Sequence, residues 1–177
     1  MKLHIGCGKK HIPGYTHVDV IDYEHVDFVC DARNLKMIED GAASEIYACH
    51  ILEHVERSEV VDVLREWNRV LRPNGVIRIA VPDFEAVVEE YRENRDLMCF
   101  QGLLFGGQTY DYNFHHVAFD FEMLKTFLED AGFSSVVKYD WRDFLPEGYD
   151  DYSRAYLPHM DFENGRLMSL NLLASKK

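Results

Sequence analysis

The sequence is poor in positive charge. Nineteen lysines and arginines stand against 31 aspartates and glutamates, a formal net charge of −12 over 177 residues. Such a chain repels polyanions, and a nucleic-acid partner would require a local basic patch that overrides the global field. No Lys/Arg cluster is present beyond Lys9-Lys10 and Lys176-Lys177, so no nucleic-acid partner is expected. Cysteine is scarce too. Cys7, Cys30, Cys49 and Cys99 stand alone with no CxxC pair, and the three that lie in or beside apolar runs read as small buried hydrophobes. No apolar run approaches the roughly 20 residues of a membrane span, and KLHI at the start is too short for a secretory leader. The expected setting is cytoplasmic and reducing, with no membrane partner. The length lies within the roughly 100–200 residues of one domain, so 1–177 is read as a single domain. A chain of this size buries about 70% of its unfolded surface without disulfides or a structural metal.

What is present is an alternation of short apolar runs and amphipathic segments. Lys2 to Ile5, Thr16 to Val20, Val26 to Cys30, Glu45 to Cys49 and Val76 to Val81 read as strands, the last bounded by Pro73-Asn74-Gly75 and Pro82-Asp83. Between the fourth and fifth, Val60, Val63, Leu64, Trp67 and Leu71 recur at helical spacing behind Ser58 as N-cap. A second helix is expected from Phe84 to about Asn94, with Phe84, Val87, Val88 and Tyr91 inward. A third is expected from near Asp120, carrying Met123, Leu124, Phe127, Leu128 and Ala131 and stopping at Gly132. Ser135 to Trp141 and Met168 to Ala174 are two further strands. The long aromatic and acidic stretch between them, 142–166, is read as a lid, because long segments without periodicity are usually functional.

Strands alternating with helices predict an α/β fold, Rossmann-like, with a mostly parallel sheet and helices on both faces. Such sheets bind ligands at the carboxyl ends of their strands. That singles out Gly6 to Gly8, Asp19, Asp31, His50 and Asp83, the last either bordering the cleft or serving only as a helix cap. A dinucleotide fingerprint fails, because His11 stands where the third glycine would be. Only about a dozen residues separate the ends of the first two strands, barely the minimum for a parallel crossover, so any helix there is a turn or two. Asp19 is placed to accept from both ribose hydroxyls and Asp31 from an exocyclic amine such as adenine N6. Together with Gly-Cys-Gly they describe a nucleoside site without a phosphate cradle.

LHIGCG, PGYTHVDV, VCDARNL, EIYACHILEHV, EWNRVLRPNGVIRIAVPDF and SLNLLASK together resemble the class I S-adenosylmethionine-dependent methyltransferases. The nearer likeness is to the small predicted methyltransferases with GCG…PG…VD and HxLEH motifs, and it extends over nearly the whole chain. The resemblance implies an antiparallel C-terminal strand and S-adenosyl-L-methionine as cofactor. It implies that Gly6, Cys7 and Gly8 line the methionine portion, that Asp19, with Val20 beside it, meets the ribose, that Asp31 and Ala32 flank the adenine, and that Cys49 and His50 lie near the sulfonium. Two departures from the class stand out: the helix after the glycine loop is truncated, and there is no N-terminal extension to cap the substrate.

Methyl transfer from a sulfonium needs orientation, desolvation and, for a hydroxyl or ammonium nucleophile, a general base. His50, His54, His115 and His116 are the candidates, and His116 and His50 are chosen as catalytic. His54 reads first as a structural residue orienting its loop. His50 to His54 also spells H-x-x-E-H, a zinc-peptidase signature, but a strand precedes it directly and the other motifs would be left unexplained. His50, Glu53, His54 and His115 or His116 can be read as gathering a metal that steers a hydroxyl nucleophile; no metal ligand is assigned. Tyr110, Tyr112, Phe114, Trp141, Phe144, Tyr149, Tyr152 and Tyr156 read as a mixture of substrate wall and core. The expected function is methyl transfer from S-adenosyl-L-methionine to a small-molecule or saccharide-like acceptor, with a homodimer as possible assembly. The alternative is a non-catalytic protein of the same fold that binds the cofactor as a sensor or partner subunit.

Overall fold

The computed structural model describes residues 1–177. Its main sheet has seven strands in the order β3-β2-β1-β4-β5-β9-β6. These are β1 (Lys2–Ile5), β2 (Thr16–Asp19), β3 (Phe28–Val29), β4 (Ala43–Cys49), β5 (Leu71–Pro82), β6 (Phe133–Lys138) and β9 (Ser169–Lys176). β1 to β5 pair in parallel, and β9 inserts antiparallel between β5 and β6. The predicted parallel sheet with an antiparallel C-terminal strand is therefore observed. Four helices accompany it: α1 (Val60–Val70), α2 (Phe84–Asn94), α3 (Gln101–Phe105) and α4 (Phe121–Asp130). A small hairpin, β7 (Tyr156–Leu157) with β8 (Arg166–Leu167), stands apart. No helix is long and apolar enough to cross a membrane.

Strand alternation sorts the side chains onto two faces. Leu3, Ile5, Val18, Ile46, Ala48, Ile77, Ile79, Val81, Leu170, Leu172 and Ala174 point to one face and join Val63, Leu64 and Trp67 of α1 and Leu124 and Leu128 of α4 in a single buried core. On the opposite face the same strands present His4, His17, Glu45, Tyr47, Ser169 and Asn171, all buried. This face is covered by the irregular segment 139–157 where a helix was expected. Phe144 packs on Tyr47 with ring centroids 4.7 Å apart, and the Asn171 side-chain amide donates to the Ser153 carbonyl at 2.8 Å. The reason is chain length: the β1–β2 and β2–β3 connections hold only turns.

Several local expectations are corrected. The N-cap of α1 is Glu59, with no side-chain cap, so Ser58 does not cap the helix. Leu71 leaves α1 and opens β5, which runs straight through Pro73-Asn74-Gly75. Those residues form a bulge, shown by the register jump from Ala43 opposite Leu71 to Glu45 opposite Val76. In α2 only Ala86 and Val87 are buried, whereas Phe84 and Val88 face solvent. The third strand shrinks from Val26–Cys30 to two residues, and Trp141 lies in a 3-10 turn after β6. α4 starts beside Asp120 as expected, and Asp120 caps it, accepting from the Met123 N–H at 2.8 Å.

Candidate active site

Two pockets meet at the carboxyl ends of β1, β2 and β4. The larger, of about 780 Å³, is lined by Gly6, Cys7, Gly8, Asp19, Val20, Cys49 and His50, with Tyr149, Asp151 and Tyr152 opposite. The smaller, of about 240 Å³, is lined by Asp31, Ala32, Arg33, Glu56 and His116. Gly6, Asp19, Val20, Ile51, His54 and Tyr112 border both. All nine residues expected at the cofactor thus line one pocket or the other. His50 lines the larger and His116 the smaller.

The glycine loop is held by its own backbone. The Gly6 and Cys7 N–H groups donate to the Val18 carbonyl at 2.8 and 3.3 Å, and the Gly8 N–H donates to Asp19 Oδ2 at 2.7 Å. These amides are used internally, which fits a site without a phosphate cradle. Gly6 has φ +67° and a Cβ there would stand 2.8 Å from Ile51, so the glycine is required by packing on that side chain. Asp19 also accepts from the Ile21 N–H at 2.9 Å through Oδ1. Each of its oxygens therefore keeps a lone pair for a ligand.

Asp31 is gripped by Arg33, whose Nε lies 3.0 Å from both carboxylate oxygens and whose Nη2 lies 2.6 Å from Oδ2. That guanidinium holds its carboxyl below the usual carboxylate range. Asp83 accepts from the Glu85 and Ala86 N–H groups at 3.0 and 3.3 Å and lines neither pocket, so of its two readings the helix cap is the one observed.

Past β4 the chain turns sharply. His50 has φ +52°, a strained value for a non-glycine residue of the kind found at functional sites. Its Nε2 lies 3.1 Å from Ser169 Oγ and its Nδ1 3.2 Å from Glu53 Oε1. Glu53 has no exposed surface. Burial raises its carboxyl, but His50, His54 and His115 around it outweigh burial and hold it below the ordinary range. His116 Nδ1 is 3.3 Å from Glu56 Oε1. Both cysteines at the site favour the thiol form: burial, then Asp19, pushes the Cys7 thiol up to about 12, and burial lifts Cys49 well above its usual value.

On the opposite wall Tyr149, Tyr152 and Tyr156 were expected from sequence, whereas Tyr47 and Asp151 were not singled out. Tyr47, fully buried, donates to Asp151 Oδ2 at 2.6 Å, and Asp151 Oδ1 accepts from the Ser153 hydroxyl at 2.6 Å and its N–H at 2.9 Å. These bonds fix Asp151, Tyr152 and Arg154 at the mouth of the larger pocket. His4 lies under it, pushed down to about 3 by burial and by His17, His25 and His11. Period-two alternation from Leu3 and Ile5 was the available signal for His4; for Asp151, 104 positions from Tyr47, no local signal exists.

Residues 3–79, from β1 into β5, match the family model described as a methyltransferase domain. The fold is that of the class I S-adenosylmethionine-dependent methyltransferases. Among solved structures, the chain is similar in fold to a SAM-dependent methyltransferase from Methanosarcina mazei (TM-score 0.60, 15% identity, 99% of this chain and 91% of that one). It is likewise similar to one from Archaeoglobus fulgidus (0.57, 16%, 99% and 85%). A third is the Burkholderia thailandensis 1,6-didemethyltoxoflavin-N1-methyltransferase, solved with 1,6-didemethyltoxoflavin and S-adenosylhomocysteine (0.56, 16%, 99% and 70%). No curated protein matches the chain in sequence.

Proposed function

We propose that the protein transfers the methyl group of S-adenosyl-L-methionine to a small, hydroxyl-bearing, saccharide-like acceptor. The observation that carries this reading is the pair of pockets meeting at Gly6, Asp19 and Ile51, with an acid at the end of each of two adjacent strands. In it, the ribose hydroxyls donate to the free lone pairs of Asp19, and the adenine enters the smaller pocket beside Asp31 and Ala32. The methionine portion lies along Gly6 to Gly8 toward Cys49 and His50. The acceptor occupies the remainder of the larger pocket, where Tyr149, Tyr152 and Tyr156 alternate with Asp150 and Asp151. Aromatic faces with polar tips beside fixed carboxylates suit a polyhydroxylated ligand. Residues 142–166 act as its cover.

In this arrangement the chain's work is orientation and exclusion of water around an already activated donor. His50 is held through Nε2 by Ser169 at the floor of the cleft. His116 borders the adenine end, so abstraction of an acceptor proton is not assigned to it. The test is calorimetric titration with S-adenosylmethionine, S-adenosylhomocysteine and NAD. The sulfur ligands bind and NAD does not; no response to the sulfur ligands overturns the reading. Asp19→Ala removes two charge-assisted hydrogen bonds, worth about 1.5–3 kcal/mol each, so affinity falls by about 100-fold or more. Unchanged affinity removes Asp19 from the site.

A further inference from the structure

Beside the cofactor contacts lies a cluster that methyl transfer as described does not use. Glu53, His54 and His115 each offer one ligand atom, and the three atoms lie within 4.8 Å of one another. We propose that these residues bind a divalent transition-metal ion of the zinc class, with an open coordination position toward the larger pocket.

The first argument is the carboxylate. Glu53 is completely buried, and neither of its oxygens accepts a hydrogen bond. The nearest groups are His50 Nδ1 at 3.2 Å and His115 Nε2 at 4.0 Å from Oε1. A buried carboxylate in this state calls for a cation.

The second argument is the tautomer of the two imidazoles. His54 Nδ1 lies 3.0 Å from the Phe114 carbonyl and His115 Nδ1 lies 3.0 Å from the Leu103 carbonyl. A carbonyl only accepts, so in each ring Nδ1 carries the hydrogen. In the neutral rings Nε2 is then left as a bare lone pair. Backbone carbonyls orienting the distal nitrogen in this way are the usual support of metal-bound histidine. In His115 that bare nitrogen faces a carboxylate oxygen, two acceptors turned toward each other.

The third argument is fit. With metal–ligand bonds of about 2.0–2.2 Å, neighbouring ligand atoms of a tetrahedral site stand about 3.3–3.6 Å apart, so a movement of up to about 1.5 Å brings atoms that lie within 4.8 Å of one another into place. Two imidazoles and one carboxylate suit zinc over calcium or magnesium, which prefer all-oxygen shells. A third imidazole is held toward the same carboxylate. The Asn171 side-chain N–H group donates to the Ser153 carbonyl, which turns its Oδ1 toward the Ser169 hydroxyl at 2.9 Å. Ser169 donates there and so accepts from His50 Nε2, which leaves the neutral His50 ring with a bare Nδ1 facing Glu53 Oε1 at 3.2 Å, a further acceptor turned toward an acceptor. His54 borders both pockets, which gives the ion its opening. An ion there would hold an oxygen of the acceptor; that use rests on the methyl-transfer reading, whereas binding of the ion does not.

The test is titration of the metal-stripped full chain with Zn²⁺ by calorimetry and with Co²⁺ by visible absorption. One equivalent binds, with the intense bands of four-coordinate cobalt. Affinity falls by more than about 100-fold in Glu53→Gln and in His54→Ala, beyond the loss seen for outer-shell changes. It stays within about twofold in His11→Ala, which alters an exposed histidine stacked on His17 outside the cluster. Thermal melts check that each variant is folded, and His54→Ala, at the cavity surface, carries the test if the buried Glu53 variant does not fold. Absence of stoichiometric binding overturns the proposal, as does binding unchanged by His54→Ala or abolished by His11→Ala; in the first case a proton shared by His115 and Glu53 is the cation. Parallel titration with S-adenosylhomocysteine separates a failure of this site from a failure of the methyl-transfer reading.

Discussion

On the face under α1 and α4, β1 presents Leu3 and Ile5, β4 presents Ile46 and Ala48, and β9 presents Leu170, Leu172 and Ala174. On the other face the same strands present His4, Glu45, Tyr47, Ser169 and Asn171, just as deeply buried. The apolar face is held by non-directional burial, in which many residues share the load. The polar face is held by pairwise bonds, each of which must be satisfied or it costs stability. It is the polar face that runs into the pockets. The helical face supplies stability, and the polar face under its irregular cover lines the pockets.

The largest effect should come from breaking the apolar face. Trp67 is fully buried and its Nε1–H donates to the Ala32 carbonyl at 2.8 Å, so the helix face is tied to the edge of the smaller pocket. Trp67→Ala should cost about 3–5 kcal/mol in chemical denaturation. A loss below about 1 kcal/mol would show that this face is not the principal source of stability.

On the polar face the comparable break is Glu45→Ala. Glu45 accepts from the Tyr15 hydroxyl at 2.8 Å and pairs with Arg78 and with Lys2, the latter at 2.9 Å. Removing it leaves Arg78 and Tyr15 unpaired beneath Phe144, at a cost of about 2–3 kcal/mol. Glu45→Gln should recover part of this, because it keeps an acceptor; equal losses would place the effect in charge alone.

His4 gives the polar face a pH signature that the apolar face lacks. Its folded value is pushed down to about 3 by burial first and by the neighbouring histidines next, against an ordinary 6.5. Below pH 6.5 the unfolded chain therefore takes up a proton that the folded chain refuses. Stability is full above pH 6.5 and is lost as pH falls toward 3, by about 2 kcal/mol between 6.5 and 5. His17, lowered by burial and by His11, acts in the same direction. Denaturation at pH 7 and pH 5 should show the drop in the native protein and a smaller one in His4→Leu. Equal drops would assign the acid sensitivity elsewhere.

The apolar face and the strand ends were legible in the sequence for physical reasons. Val60, Val63, Leu64 and Trp67 repeat at helical spacing whatever they pack against, and Asp19 and Asp31 stand where apolar runs stop. Pro73-Asn74-Gly75 misled, because pairing of β5 with β4 and β9 absorbs the three residues as a bulge. Phe84 and Val88 misled because α2 buries only a narrow strip around Ala86 and Val87. The polar face was hidden in plain alternation: His4, Glu45 and Tyr47 look like outward positions until 139–157 covers them. Glu53 could be seen in its motif, but its isolation from any hydrogen-bond donor depends on His115, 62 positions later, and on where two backbone carbonyls fall.

The smallest expected effect sharpens the boundary between the faces. Asp83 ends β5 as Asp19 ends β2, yet its Oδ1 is spent on the first turn of α2, and it lines neither pocket. Asp83→Ala should therefore behave as the loss of a helix cap, about 1 kcal/mol in denaturation. Affinity for S-adenosylhomocysteine should stay within about twofold of the native protein, in contrast to Asp19→Ala. Replacement by Asn, which caps as well as Asp, should restore the stability. A cofactor affinity that falls with Asp83→Ala and is not restored by Asn would extend the binding site across β5 and draw Asp83 into the chemistry of the polar face.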